Sequence, residues 1–189
     1  MEAFLVSTIA VAIGEIGDKT QLLALLLAVR FRRPWPIVAG IFVATICNHA
    51  LAAFVGQWAA AHMSHDMLRW LLGLSFLAIA LWALKPDDMD EENIERPGYG
   101  VFVLTCITFF FAEIGDKTQL ATIALAARFQ NLVPVLAGTT LGMMLADTPA
   151  VFLGKIASPT FPLKSIRMVA AAIFAVLGLA VLAGISPGL

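Results

Sequence analysis

Apolar residues run along this chain in long blocks, separated by short polar intervals. The blocks reach roughly 20 residues, enough to cross a ~30 Å hydrocarbon core as helices. Six spans follow from the pattern. Span one runs from Ala3 to Val29 and is closed by Arg30, Arg32 and Arg33. Pro34 and Pro36 open span two, a place where a helix accepts proline, and it continues to Ala60. A polar connection with His62, Ser64, His65 and Asp66 leads to span three, Met67 to Leu84. After Lys85-Pro86 comes an acidic linker, residues 87–98, holding Asp87, Asp88, Asp90, Glu91, Glu92 and Glu95. Its like charges favour an extended, solvated state. Span four runs from Tyr99 to Ala127, span five from Pro134 to Gly154, and span six from Ser165 to Gly184. Trp35, Trp58, Trp70, Trp82 and Tyr99 lie near span ends, as interfacial anchors do. The expected fold is an all-α, polytopic membrane protein.

The polar residues that interrupt the blocks are repeated. Glu15-Ile16-Gly17-Asp18-Lys19-Thr20-Gln21-Leu22 recurs without change as Glu113-Ile114-Gly115-Asp116-Lys117-Thr118-Gln119-Leu120, 98 positions later. The same offset relates Arg30-Phe31 to Arg128-Phe129, Pro36 to Pro134, Ala39-Gly40 to Ala137-Gly138, Phe54 to Phe152, Gly56 to Gly154 and Arg69 to Arg167. The chain thus reads as a three-span unit (1–86), the linker (87–98) and a second three-span unit (99–189). Three is odd, so the second unit enters the membrane from the opposite side. Inverted repeats of this kind are common in secondary transporters, with the binding site near the midplane between them.

Composition agrees: 60% of the residues are hydrophobic and 13% charged, about half the charge of an average soluble domain. The mean hydropathy is +0.91. The formal net charge of −1 offers no basic face for nucleic acid. Met1-Glu2-Ala3-Phe4 lacks the basic stretch of a secretory signal peptide, so the first span is expected to be retained. Cys47 and Cys106 both fall inside spans and read as packing residues. Outside the motifs, Arg30, Arg32, Arg33, Lys85, Arg96, Lys155, Lys164 and Arg167 follow spans one, three and five, whereas Arg69 and Arg128 follow spans two and four. The positive-inside rule then puts the linker in the cytoplasm and both termini outside.

Charge inside a membrane is expensive and marks function. On a continuous helix, Glu15 would share a face with Asp18 and Lys19, and Asp18 with Gln21, while Thr20 would lie off that stripe unless Gly14 and Gly17 distort the helix. The two motifs together bring four carboxylates and two lysines, a sum of −2 that one divalent cation neutralises. Carboxylate and amide oxygens suit hard cations such as Mg²⁺, Ca²⁺ or Mn²⁺; no thiolate or imidazole cluster accompanies them. Carboxylates buried side by side also take up protons readily when a cation leaves. Metal binding is therefore expected at Glu15, Asp18, Glu113 and Asp116. A purely structural ion-pair network is the competing reading, and buried pairs are weak sources of stability.

Further polar residues lie in the spans. Asn48 and His49 sit in span two and Asp147 in span five, with His49 and Asp147 at equivalent repeat positions. Gln21, Asn48, Gln119 and Asp147 are candidates for the cation or proton path; Asn48 could equally tie two helices together, and His49 fits a packing role better than a shuttle. His62 and His65 lack a third ligand for a metal site.

The doubled Glu-x-Gly-Asp-Lys-Thr motif, with Ile at x, resembles the signature of the GDT family of membrane cation/proton exchangers. That family includes Golgi and chloroplast members and bacterial manganese exporters of the MneA type. The resemblance covers nearly the whole chain, including the six spans and the acidic linker. It implies Mn²⁺ transport, with Ca²⁺ and H⁺ handled by some members, and no resident cofactor. It assigns the motif acids to Glu15, Asp18, Glu113 and Asp116, with supporting roles for Lys19, Thr20, Lys117 and Thr118. The compact chain without an organellar extension resembles a bacterial member working in the inner membrane. A passive divalent-cation channel would use the same acids; an enzyme would need a nucleophile–base set or a His-rich metal motif that the chain lacks.

Overall fold

The computed structural model describes residues 1–85, 100–153 and 163–184, the last segment without side chains for 163–167. Tyr99, the acidic linker, Arg96, Gly154, Lys155 and the side chains of Lys164 and Arg167 lie outside the described residues. Among those described there are eight α-helices and no strand: α1 Glu2–Glu15, α2 Lys19–Phe31, α3 Pro34–His62, α4 His65–Ala83, α5 Gly100–Glu113, α6 Lys117–Phe129, α7 Leu132–Leu153 and α8 Leu163–Leu182.

Eight helices make six spans because two spans are broken. The distortion that the motif glycines allow within the spans from Ala3 to Val29 and from Tyr99 to Ala127 is a full break. Span one is α1 followed by α2, and span four is α5 followed by α6. The break is the motif itself. Gly17 and Gly115 adopt left-handed backbone, at φ 81° and 77°, a conformation glycine enters without steric cost. Asp18 and Asp116 then turn extended and start the next helix. In a membrane, non-helical backbone of this kind is tolerated where protein or a polar cavity receives its free groups. The connection between spans two and three is also shorter than expected. His62 ends α3 and His65 begins α4, leaving Met63 and Ser64 between them, with Ser64 capping α4.

The helices α3, α4 and α7 are each long and apolar enough to cross a membrane alone. Trp35, Trp58, Trp70, Leu81 and Phe111 are exposed on the outside of the bundle, where lipid is the natural partner.

The two inverted halves are interlocked, not laid side by side. Helix α1 packs mainly on α7, and its counterpart α5 packs on α3. Likewise α2 packs on α7 and α6 on α3, while α4 meets α8 and α3 meets α7. Each broken span therefore leans on the long helix of the opposite half. Paired glycines permit it. A Cβ on Gly138 would stand 2.5 Å from the Phe4 carbonyl oxygen and 3.0 Å from the Ser7 Cβ. A Cβ on Gly40 would stand 2.9 Å from the Phe102 oxygen and 2.6 Å from the Thr105 Cβ. These are the same crossings displaced by 98 residues, built from close backbone approach as membrane helix contacts usually are. Gly138→Val should cost about 1–3 kcal/mol through overpacking against a backbone that cannot yield. A lower thermal midpoint of the detergent-solubilised variant checks it.

Candidate cation site

The helix breaks bring the two motifs together at the centre of the bundle. Glu15 is the last residue of α1 and Glu113 the last of α5; Asp116 stands just before α6. All three are buried, and one carboxylate oxygen from each lies within 4.8 Å of the others. One oxygen of each carboxylate is occupied. The Thr20 hydroxyl donates to Glu15 Oε1. The Thr118 hydroxyl donates to Glu113 Oε2 at 2.9 Å. Asp116 Oδ1 receives Lys19 Nζ at 3.1 Å. The remaining oxygens, Glu15 Oε2, Glu113 Oε1 and Asp116 Oδ2, are buried with no hydrogen-bond partner. Buried polar atoms without partners are uncommon and call for an explanation. Three buried carboxylates gathered in one small space, each with one oxygen unpartnered, form a ligand set for a hard cation.

The lysines pair across the halves. Lys19 of the first motif meets Asp116 of the second, and Lys117 of the second meets Asp18 of the first. The expected Glu15–Asp18–Lys19–Gln21 stripe along one helical face is therefore corrected. With the helix broken between Glu15 and Asp18, the i, i+4 partner of Lys19 is lost and its countercharge comes from the other motif. The threonines, placed off the stripe by helical spacing, turn out to be immediate partners of the glutamates. Since each lysine offsets one aspartate, the −2 of the site resides on Glu15 and Glu113. Asp18 is buried but does not join the 4.8 Å set; it stays with Lys117 and approaches the Thr20 hydroxyl at 3.5 Å.

Gln21 and Gln119 hold the breaks in shape. Gln21 Oε1 accepts from Gly17 N at 2.9 Å, and Gln119 Oε1 accepts from Gly115 N at 2.8 Å. Their amide groups then reach the opposite half: Gln21 Nε2 donates to the Ala146 carbonyl at 2.9 Å, and Gln119 Nε2 donates to Asn48 Oδ1. Asn48 in turn donates to the Phe110 carbonyl at 3.0 Å. These three amides bind backbone and one another, so their oxygens serve the scaffold. A Cβ on Gly115 would meet nothing within 4 Å, so Gly115→Ala tests the backbone conformation alone. It should cost about 1–2 kcal/mol, read as a lowered thermal midpoint, and reduce transport by misplacing Glu113 and Asp116.

Asp147 and His49 are fully buried, and both polar atoms of each lack a hydrogen-bond partner. His62 Nδ1 donates to the Trp58 carbonyl at 2.8 Å and the imidazole stacks on the Trp58 ring, and no metal-holding group among the described residues includes it. Cys47 and Cys106 are both free thiols. What spacing alone did not reveal was the role of Thr20 and Thr118. The signal was available in the identity of both motifs through Thr and Gln, which a helix face by itself does not require.

Comparison with known proteins gives a consistent result. The family described as "Divalent cation/proton antiporter GDT1" matches residues 3–91 and 101–187, one half of the chain each. A Vibrio cholerae protein named "Putative manganese exporter" is 50% identical over 95% of this chain and 90% of its own length. A Synechocystis protein, "GDT1-like protein sll0615", is 27% identical over 92% of this chain and 93% of its own. An Arabidopsis thaliana "GDT1-like protein 5" is 29% identical over 82% and 84% respectively. No solved structure matches.

Proposed function

The chain belongs to the GDT1 family of divalent cation/proton antiporters, and from that premise we propose that it exports Mn²⁺ across a bacterial inner membrane in exchange for protons. Ca²⁺ is the second cation it would carry. Both termini would face outward and the linker the cytoplasm. The observation that carries the reading is the trio Glu15, Glu113 and Asp116, buried together with one oxygen of each held and the other without a hydrogen-bond partner. Mn²⁺ accepts carboxylate oxygen readily, and two glutamates match its charge.

Repeat symmetry supports a second binding state. The mirror image of the trio is Glu113, Glu15 and Asp18. In alternating access, one half (1–86) rocks against the other (99–189) around the bound ion. The cation would lean on Asp116 in one state and Asp18 in the other, with the cross-paired lysines releasing one aspartate as they hold the other. The glutamates would carry protons on the return, two for each Mn²⁺ exported.

The test is flux in proteoliposomes containing the purified protein alone. An imposed pH gradient should drive Mn²⁺ against its own gradient, and dissipating the pH gradient should stop it. Mn²⁺ movement that only ever runs downhill, whatever the pH gradient, overturns antiport in favour of a channel.

A further inference from the structure

The two halves repeat closely around the site, but one pair of buried positions breaks the symmetry. Position 48 on α3 and position 146 on α7 are counterparts, and each accepts from a motif glutamine. The next residue is His49 on α3 and Asp147 on α7. Both are completely buried. Neither ring nitrogen of His49 and neither oxygen of Asp147 has a hydrogen-bond partner. A carboxylate with two open oxygens inside a membrane protein is costly unless something polar comes to it. The chain neighbour of Asp147, Ala146, accepts from Gln21 at 2.9 Å, which sets Asp147 on the stretch of α7 that meets the first motif.

We propose that Asp147 is a further cation-binding residue, joining Glu15, Glu113 and Asp18 in one of the two transport states, and that His49 leaves the other state without an equivalent ligand. The inference rests on the cation site proposed above. Its chemistry is simple. A state that adds a carboxylate holds a hard divalent ion more tightly than one that adds an imidazole. The carrier is then unequal on its two faces, with a low half-saturation for Mn²⁺ on the side to which the Asp147 state opens and a higher one on the other. The proton gradient sets the direction of net transport, and the unequal faces set the Mn²⁺ concentrations at which each side saturates.

Repeat symmetry provides a test that a merely structural aspartate would not pass. Mn²⁺ binding to the detergent-solubilised protein is followed by electron paramagnetic resonance, and Mn²⁺ half-saturation is measured from each face in right-side-out and inverted vesicles. Asp147→Asn should weaken binding by about tenfold, and Asp147→Glu should retain most of it. The exchange His49→Asp with Asp147→His should restore binding and interchange the half-saturation values of the two faces. Glu15→Gln is the control. If Asp147→Asn binds Mn²⁺ like the wild type while Glu15→Gln does not, this inference falls and the cation site stands. If Glu15→Gln also binds like the wild type, the site itself is wrong. Should Asp147→Asn fail to fold, His49→Asp in the otherwise unaltered chain decides the matter. It should lower the half-saturation on the weaker face, and unchanged values on both faces overturn the proposal.

Discussion

Glu15→Gln and Glu113→Gln should each reduce Mn²⁺ transport by about 100-fold or more, a loss of roughly 2.7 kcal/mol or more in binding terms. The reasoning runs through charge. Each aspartate of the motifs is matched by a lysine of the opposite motif, so of the three clustered carboxylates only the two glutamates carry charge that no lysine offsets. At an effective dielectric near 20, a unit charge at ~4 Å contributes about 4 kcal/mol, more than the predicted loss. Glutamine keeps the shape of the side chain and an oxygen for Thr20 or Thr118, so the break between half-helices should survive. The folded protein should even gain stability in the absence of cation, because a buried, partly unpaired carboxylate has been removed. Flux assays and thermal midpoints on the same preparations check both halves of this statement. Wild-type flux from both variants would falsify the assignment.

The second large effect is expected at Lys117. Its side chain is 5% exposed and pairs with an Asp18 side chain that is fully buried. Lys117→Met therefore removes the countercharge of a fully buried carboxylate, at a cost of about 3–5 kcal/mol. Lys19 occupies the equivalent place in the first motif but is 32% exposed. Its partner Asp116 is nonetheless 1% exposed, so water can reach only the lysine end, and Lys19→Met should cost somewhat less than Lys117→Met, about 2–3 kcal/mol. Identical octapeptides are thus expected to respond unequally to the same substitution. Unfolding in detergent would measure the difference, and pairing Lys117→Met with Asp18→Asn should recover much of the loss. Equal destabilisation by the two lysine changes would show that burial does not govern these pairs.

Much of this architecture was legible in the order of residues. The apolar blocks specify the spans because a bilayer demands length and hydrophobicity from every crossing element. The offset of 98 specifies the relation of the halves, since an odd number of crossings leaves no choice of direction. That Glu15, Asp18, Glu113 and Asp116 would be buried carboxylates inside the bundle was legible because they interrupt apolar blocks long enough to span. Two things were not. Helical spacing put Glu15 beside Lys19, whereas the chain turns at Gly17 and sends Lys19 to Asp116. A glycine in a helical pattern permits such a break without demanding it, and the decision lies with Gln21 and Ala146, which are remote in sequence. The interlocking of α1 with α7 and of α5 with α3 was equally hidden. It depends on Gly138 fitting against Phe4 and Gly40 against Phe102, contacts that no local pattern announces.

That interlocking has an evolutionary consequence. Each half contributes one glutamate, one threonine clasp and one lysine for its partner's aspartate, so the pocket is in essence a dimer interface written into one polypeptide. A single three-span ancestor, inserted in both orientations, would already have paired with itself to build a symmetric pocket. Fusion then guaranteed one copy of each orientation per molecule. It also released the copies from having to be identical. Positions 49 and 147 could diverge only after that point, and with them a symmetric carrier could acquire unequal affinities on its two faces.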